Sequence, residues 1–127
     1  MATKNEETII AILEAWGRGS DAAAEQIAAH FAPDCKWVQP GIATTTGPDE
    51  AIALIKGLGA MDSVSIKVDF HNVASSGNVV FTERVDHLVM KDGARSMSIP
   101  VVGVTVFKDG KVSEWREYFD PAILTSG

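Results

Sequence analysis

The chain of 127 residues lacks the features that mark several large classes of protein. Cys35 is its only cysteine, so no disulfide can form within the chain, and a reducing cytoplasmic location is expected. Basic residues are scarce, with 11 Lys and Arg against 17 Asp and Glu, and the net charge is −6. This charge argues against nucleic acid or an anionic membrane as the partner. No apolar run approaches the roughly 18 residues that a membrane-spanning helix needs.

The apolar positions of the first half follow the spacing of buried helix faces. Three stripes recur at intervals of three and four residues, which predicts three helices. Pro48, followed by two acidic residues, is typical of the first turn of the third helix. The stripes are Ile9, Ile12, Leu13 and Trp16; Ala24, Ile27, Ala28 and Phe31; and Ala51, Leu54, Ile55 and Leu58.

The second half alternates apolar and polar residues, which predicts strands over 65–73, 79–90, 95–107 and 111–119. Asp-Gly pairs at 92–93 and 109–110 are typical of hairpin turns, and residues 35–39 form a further short extended candidate. Helices followed by an antiparallel meander predict an α+β fold, expected to be a single domain over residues 1–127. A curved sheet wrapped by helices would form a cone with an apolar pocket.

Strand 79–90 carries an arginine and an aspartate on one face. Alternation places Arg84 and Asp86 on the same side as Leu88 and Met90. One interpretation is an exposed ion pair, which contributes little to stability. The apolar neighbours instead favour a pocket, where such a pair could serve acid and base catalysis.

The last strand offers a second carboxylate, Asp120, which follows Tyr118 on one face. Because Pro121 comes next, Asp120 could be a turn residue, or it could reach the same cavity as Asp86. The opposite face carries Trp115, Glu117 and Phe119, and its aromatic residues are candidates for contact with a partner subunit.

These segments resemble the limonene-1,2-epoxide hydrolase family, within the larger NTF2-like superfamily that includes SnoaL and ketosteroid isomerase proteins. The resemblance covers most of the chain and implies an α+β cone, a homodimer and a deep apolar pocket. The residues that carry it are Phe70-His71, Ser75-Ser76, Thr82-Glu83-Arg84-Val85-Asp86, Gly103-Val104, Gly110-Lys111 and Trp115-Arg116-Glu117-Tyr118-Phe119-Asp120.

The resemblance also implies one-step hydrolysis of a small-to-medium apolar epoxide to a vicinal diol, with no cofactor. In that scheme Asp120 is the base that activates water, and Asp86 is the acid that protonates the epoxide oxygen. Arg84 bridges the two carboxylates. The transition state is stabilised at the leaving oxygen by the acid and at the attacking water by the base. Each such general acid or base accelerates the reaction roughly 10²–10⁴-fold.

The chain departs from the family pattern where a tyrosine and an asparagine would position the water. The matching residues are Trp37 and Gln39, which alternation still places on one face. Indole can donate a hydrogen bond but cannot accept one, so Trp37 is either a donor or an apolar wall. The candidate walls of the substrate pocket are Leu58, Met61, Leu88, Ile99 and Val101.

Two other functional classes remain open. An isomerase or cyclase of the ketosteroid isomerase or SnoaL kind would move a proton beside a carbonyl, and a homodimeric binding module would keep the cone without the chemistry. A metal site is not expected, because His30, His71 and His87 have no ligand spacing to one another or to Cys35.

Overall fold

The computed structural model describes residues 3–59, 63–120 and 122, and within them it contains three helices and six strands. No helix in these ranges is long and apolar enough to cross a membrane. In chain order the elements are α1 (Lys4–Trp16), α2 (Ser20–His30), β1 (Phe31–Gln39), β2 (Ala43–Thr46), α3 (Gly47–Gly59), β3 (Ser63–Ser76), β4 (Val79–Met90), β5 (Arg95–Lys108) and β6 (Lys111–Tyr118).

The six strands form one curved, open sheet in the order β2-β1-β6-β5-β4-β3. All neighbours are antiparallel except β1 and β6, which run parallel. The predicted α+β fold with a curved sheet is therefore confirmed. The parallel pair brings the first strand beside the last, with Trp37 opposite Trp115.

The predicted buried stripes of α1 and α3 are confirmed where their side chains are described. In α1, Ile9, Ile12 and Leu13 are fully buried, and a capping box at Thr3 satisfies backbone donors of the first turn. The α2 prediction was right for Ile27 and Phe31, which are buried, and wrong for Ala28, which is exposed, and for the end of the helix. Ala23 and Ile27 are buried, and the helix stops at His30 because the next residue already belongs to β1.

The strand boundaries also differ from the predicted ones. β1 begins at Phe31 and tolerates Pro33 because its register against β6 shifts between Phe31 and Lys36, so a proline does not interrupt a regular ladder. β2 was not predicted. β3 runs on to Ser76, and the turn to β4 therefore consists of Gly77 and Asn78 alone.

An aromatic cluster fills the core between the helices and the inner face of the sheet. The ring centroids of Trp16, Trp37 and Trp115 lie 5.6 to 5.8 Å from one another. Phe31 packs edge-on against Trp37 and Trp115. All three tryptophans of the chain thus lie in one cluster, and the polar side chains of the site pack against it.

Candidate functional site

A cavity of about 160 Å³ opens between the helices and the inner face of the sheet. Its lining is almost entirely apolar or aromatic, and carboxylates enter it from two strands, Asp86 from β4 and Glu117 from β6. The lining residues are Trp16, Trp37, Gln39, Ile42, Leu54, Ile55, Ile66, Asp86, Leu88, Ile99, Val101, Glu117 and Phe119.

Arg84 joins the two carboxylates. Its Nε donates to Asp86 Oδ1 at 2.9 Å, and its Nη2 donates to Asp86 Oδ2 at 3.2 Å. The same Nη2 also donates to Glu117 Oε2. The side chains of Arg84, Asp86 and Glu117 are 0%, 10% and 5% exposed, respectively. The site is therefore a buried carboxylate–guanidinium–carboxylate bridge, in which each carboxylate accepts charge-assisted hydrogen bonds.

Neighbouring residues fix the position of Arg84. Its Nη1 donates to Thr82 Oγ1 at 3.2 Å, and its guanidinium lies 5.9 Å from the ring centroid of Trp115. On β5, Gly103 leaves room for it, since a Cβ there would lie 2.7 Å from Arg84 Nη1 and 2.7 Å from Thr82 Oγ1. Any other residue at position 103 would push against the arginine or the threonine.

Glu117 accepts a second hydrogen bond from the neighbouring strand β1. The indole Nε1 of Trp37 donates to Glu117 Oε1 at 3.2 Å. This contact follows from the parallel pairing, because Trp37 faces Trp115 and Glu117 is the next residue of β6 on the same side. Both carboxylate oxygens of Glu117 are thus hydrogen-bonded, one by Trp37 and one by Arg84.

The buried position of Glu117 favours the neutral form of its carboxyl. Burial raises the pKa of Glu117, and this effect outweighs the lowering by Arg84; the negative charge of Asp86 raises the pKa further. Burial opposes the charge of Arg84, but the two carboxylates hold its pKa above the ordinary value. One positive charge therefore lies between two carboxylates.

The profile of the limonene-1,2-epoxide hydrolase catalytic domain matches residues 3–126 of the chain. The chain belongs to the limonene-1,2-epoxide hydrolase family. Epoxide hydrolase EphG of Mycobacterium tuberculosis (strain ATCC 25618 / H37Rv) is 37% identical over 57 residues. That match spans 45% of this chain and only 37% of the length of EphG.

Solved structures agree with this family at the level of fold. An LEH-like epoxide hydrolase from M. tuberculosis superposes with a TM-score of 0.78 at 24% identity, covering 97% of this chain and 87% of that one. An NTF2-like protein of unknown function from Burkholderia pseudomallei K96243 gives 0.82 at 21% identity, covering 98% and 97%. The fold is thus NTF2-like. A putative SnoaL-like polyketide cyclase from Jannaschia sp. CCS1 shares it, with a TM-score of 0.79 at 20% identity, covering 97% of this chain and 90% of that one.

Within this member of the family, the structure separates Asp120 from the site. Asp120 lies beyond the end of β6, is exposed, and accepts a hydrogen bond from the backbone N–H of Ala122 at 3.0 Å. It therefore has the geometry of a turn residue, the other interpretation of its sequence position. The carboxylate on the far side of Arg84 is Glu117, which the sequence analysis placed on the outer face of the sheet.

The same correction applies to the whole of β6. Trp115 is fully buried in the core and Phe119 lines the cavity, so neither residue faces outward. Tyr118, on the opposite side, is 47% exposed. Sequence alone contained one signal for Glu117: it is an ionisable residue between two large aromatic residues on one face of a strand.

The remaining candidate residues divide between the cavity and undescribed positions. Leu88, Ile99 and Val101 line the cavity, as do Trp37 and Gln39. Met61 lies outside the described residues, and the side chain of Leu58 is not described either.

The described part of the chain holds no group of three or more His, Cys, Asp and Glu arranged for a metal ion. Cys35 is buried, and burial raises its pKa to about 12, so the thiolate that nucleophilic chemistry requires is strongly disfavoured. The acid–base groups of the cavity are thus the bridged carboxylates.

Proposed function

We propose that the protein is a cofactor-independent epoxide hydrolase that adds water in one step to a small apolar epoxide, giving a vicinal diol. The observation that carries the proposal is Arg84 bridging two buried carboxylates, Asp86 and Glu117, at an apolar cavity. Asp86 acts as the acid on the epoxide oxygen, Glu117 as the base on water, and Arg84 links them.

The reaction balances without any other group. The water oxygen bonds to an epoxide carbon while Glu117 takes a proton from that water. The C–O bond of the strained ring breaks, and Asp86 gives its proton to the departing oxygen. The reactive form has the proton on Asp86 and an ionised Glu117. After the reaction the proton is on Glu117, and its return to Asp86 by exchange with water restores the starting state.

The positions of the two carboxylates support this division of roles. Glu117 accepts a hydrogen bond from Trp37 and lines the same cavity as Gln39, whose amide can hold water. Asp86 pairs across the sheet with Ile99 and lies on the same face as Leu88, so it is next to the apolar walls expected to contact substrate. A carboxyl whose pKa is raised by burial is also a stronger base once it is ionised.

The cavity limits the size of the substrate. At about 160 Å³ it is close to the roughly 150 Å³ of an engineered apolar cavity that binds benzene. Its apolar lining contains few polar groups other than the reacting carboxylates, Gln39 and indole N–H groups. We therefore expect a monocyclic epoxide such as cyclohexene oxide to react faster than larger or strongly polar epoxides.

The assignment is tested by product analysis in ¹⁸O water together with matched carboxylate variants. Hydrolysis incorporates one labelled oxygen into a diol, whereas an isomerase or cyclase incorporates none. Glu117→Gln and Asp86→Asn should each lower kcat by roughly 10²–10⁴-fold. Asp120→Asn is the matched control and should remain within about threefold of wild type, because its carboxylate caps a turn.

Two results would contradict this assignment. Loss of turnover in Asp120→Asn with turnover retained in Glu117→Gln would return the base to Asp120. Ligand-induced thermal stabilisation without turnover across an epoxide panel would identify a binding module instead.

The resemblance also implies a homodimer, and the outer face of the sheet is the surface we propose for it. Phe81, Val102 and Tyr118 are 42–47% exposed there, and Val102 pairs directly with Tyr118. Exposed apolar side chains grouped in this way are typical of an interface. Sedimentation of wild type should give a dimer and Val102→Lys a monomer; a wild-type monomer at high concentration would reject the proposal.

A further inference from the structure

The hydrogen bond between Trp37 and Glu117 joins the first strand of the chain to the last, within the polar site. Trp37 and Glu117 are both buried, so both groups are out of contact with bulk water. A buried carboxylate that loses one of its donors incurs a large desolvation cost. Trp37 therefore does more for Glu117 than fill space in the aromatic cluster.

The chemistry of indole restricts what Trp37 can do. An indole has one N–H and no acceptor. That N–H is directed at Glu117 Oε1, 3.2 Å away. It has no second proton to donate to a water, and it cannot accept a proton from one. Gln39, which lines the same cavity, has both an amide carbonyl and an NH₂ group and can do both.

We propose that Trp37 is a positioning residue for the base and not for the water. It holds Oε1 of Glu117 while Arg84 holds Oε2, so the carboxylate is fixed at both ends. The attacking water is then held between Glu117 and Gln39. This inference rests on the proposed function, because it takes Glu117 as the base of the hydrolysis.

The surroundings of Glu117 give the sign of the expected effect. The charged groups that face it are Arg84 and Asp86 of β4; β5 presents Gly103 opposite it, and β1 presents Trp37. Of these, Arg84 and Trp37 favour the ionised carboxylate and lower its pKa. Removing the indole N–H raises the pKa of Glu117, and a base acts only when ionised. The acid-side limb of the kcat/KM profile must therefore move to higher pH.

The first test compares two tryptophans that line the same cavity. Trp37→Phe should move the acid-side limb to higher pH and lower kcat at neutral pH roughly tenfold, with KM within about twofold. Trp16→Phe is the matched control, because Trp16 Nε1 has no hydrogen-bond partner among the described residues. Its acid-side limb should stay at the wild-type position, whatever the effect on cavity packing.

A second variant separates the hydrogen bond from the shape of the ring. Site-specific replacement of Trp37 by 3-benzothienylalanine puts sulfur in the place of the N–H and nearly preserves the volume. It should reproduce the pH shift of Trp37→Phe. Gln39→Leu should lower kcat while the acid-side limb stays in place, since it removes a contact to water and none to Glu117.

A readout that needs no turnover distinguishes failure of this inference from failure of the proposed function. Titration of the ¹³C-labelled Glu117 carboxyl by NMR should show a higher pKa in Trp37→Phe than in wild type. If wild type hydrolyses no epoxide, the proposed function fails and this titration still tests the contact. An unchanged acid-side limb and an unchanged Glu117 titration in both Trp37 variants would overturn the inference.

Discussion

Two polar trios lie on opposite faces of the same sheet. On the inner face, Arg84 joins Asp86 and Glu117 at the cavity. On the outer face, His87 Nδ1 lies 2.6 Å from Ser98 Oγ, and His87 Nε2 lies 2.8 Å from Asp69 Oδ2. The outer trio has the residue types of a serine-hydrolase triad, yet Ser98 is exposed and the Asp69 side chain is 46% exposed.

The difference between the trios lies in their surroundings. The inner carboxylates are buried beside an apolar cavity, where charge is costly, and burial raises the pKa of Glu117. The outer trio spans the middle of three paired strands, where backbone N–H groups donate to neighbouring strands and cannot stabilise an oxyanion. Catalytic residue types within hydrogen-bond distance are thus not sufficient for a catalytic site. The inner trio differs from the outer one in being buried beside a cavity that can hold a substrate.

The largest effect is expected from removing the charge that the inner trio shares. Arg84→Met leaves two buried carboxylates without their cation, and the free energy of unfolding should fall by about 3–5 kcal/mol. Arg116→Met is the matched control: Arg116 pairs with Glu114 and is 34% exposed, so its loss should cost no more than ~1 kcal/mol. Urea denaturation measures both, and equal losses would mean that the inner bridge is no more than a surface ion pair.

The second largest effect is expected from filling the space that Gly103 leaves beside the guanidinium of Arg84. Gly103→Ala should displace the guanidinium, lower kcat roughly 10²-fold and cost about 1–3 kcal/mol of stability. Gly57→Ala is the control, because a Cβ there meets nothing within 4 Å and lies on helix α3. That variant should keep full turnover and gain about 0.5–1 kcal/mol. Wild-type turnover in Gly103→Ala would show that Arg84 tolerates displacement.

The sequence predicted two residues of the inner trio, Arg84 and Asp86, and missed the third, Glu117, for a physical reason. On β4, alternation grouped Arg84 and Asp86 with Leu88, and the two charged side chains are indeed buried. On β6 each face mixes aromatic and charged residues, so alternation alone could not decide which face points inward. The face that carries Trp115 and Phe119 points inward, because it buries more apolar surface than the face that carries Tyr118.

The contact between Trp37 and Glu117 was beyond reach of local pattern. It depends on β1 lying parallel to β6, a pairing between residues about 80 positions apart. Hairpin turns predict which strands are antiparallel neighbours, but they carry no information about a parallel partner from the other end of the chain. Short-range spacing therefore predicts the meander well and the completed site only in part.

A smaller effect concerns stability against pH. The pKa of Glu117 is raised in the folded protein, so its contribution to stability is full below the unfolded value near 4.5 and is lost as pH rises through the folded pKa. Glu117→Gln removes this dependence. The free energy of unfolding of the variant, measured relative to that of wild type, should therefore increase as pH rises from 4 to 8. A constant difference between the two proteins would mean that burial does not raise the Glu117 pKa.

The smallest effects are expected on the outer face. Ser98→Ala removes one hydrogen bond from His87, which contributes about 0.5–1.5 kcal/mol at most because Ser98 is exposed. His87→Gln should be similarly mild, and both variants should keep wild-type epoxide turnover. Wild type should also give no burst of product from an activated ester, since the middle of the sheet offers no oxyanion donors. A burst that Ser98→Ala abolishes would make the outer trio a second reactive site and remove the contrast between the two faces.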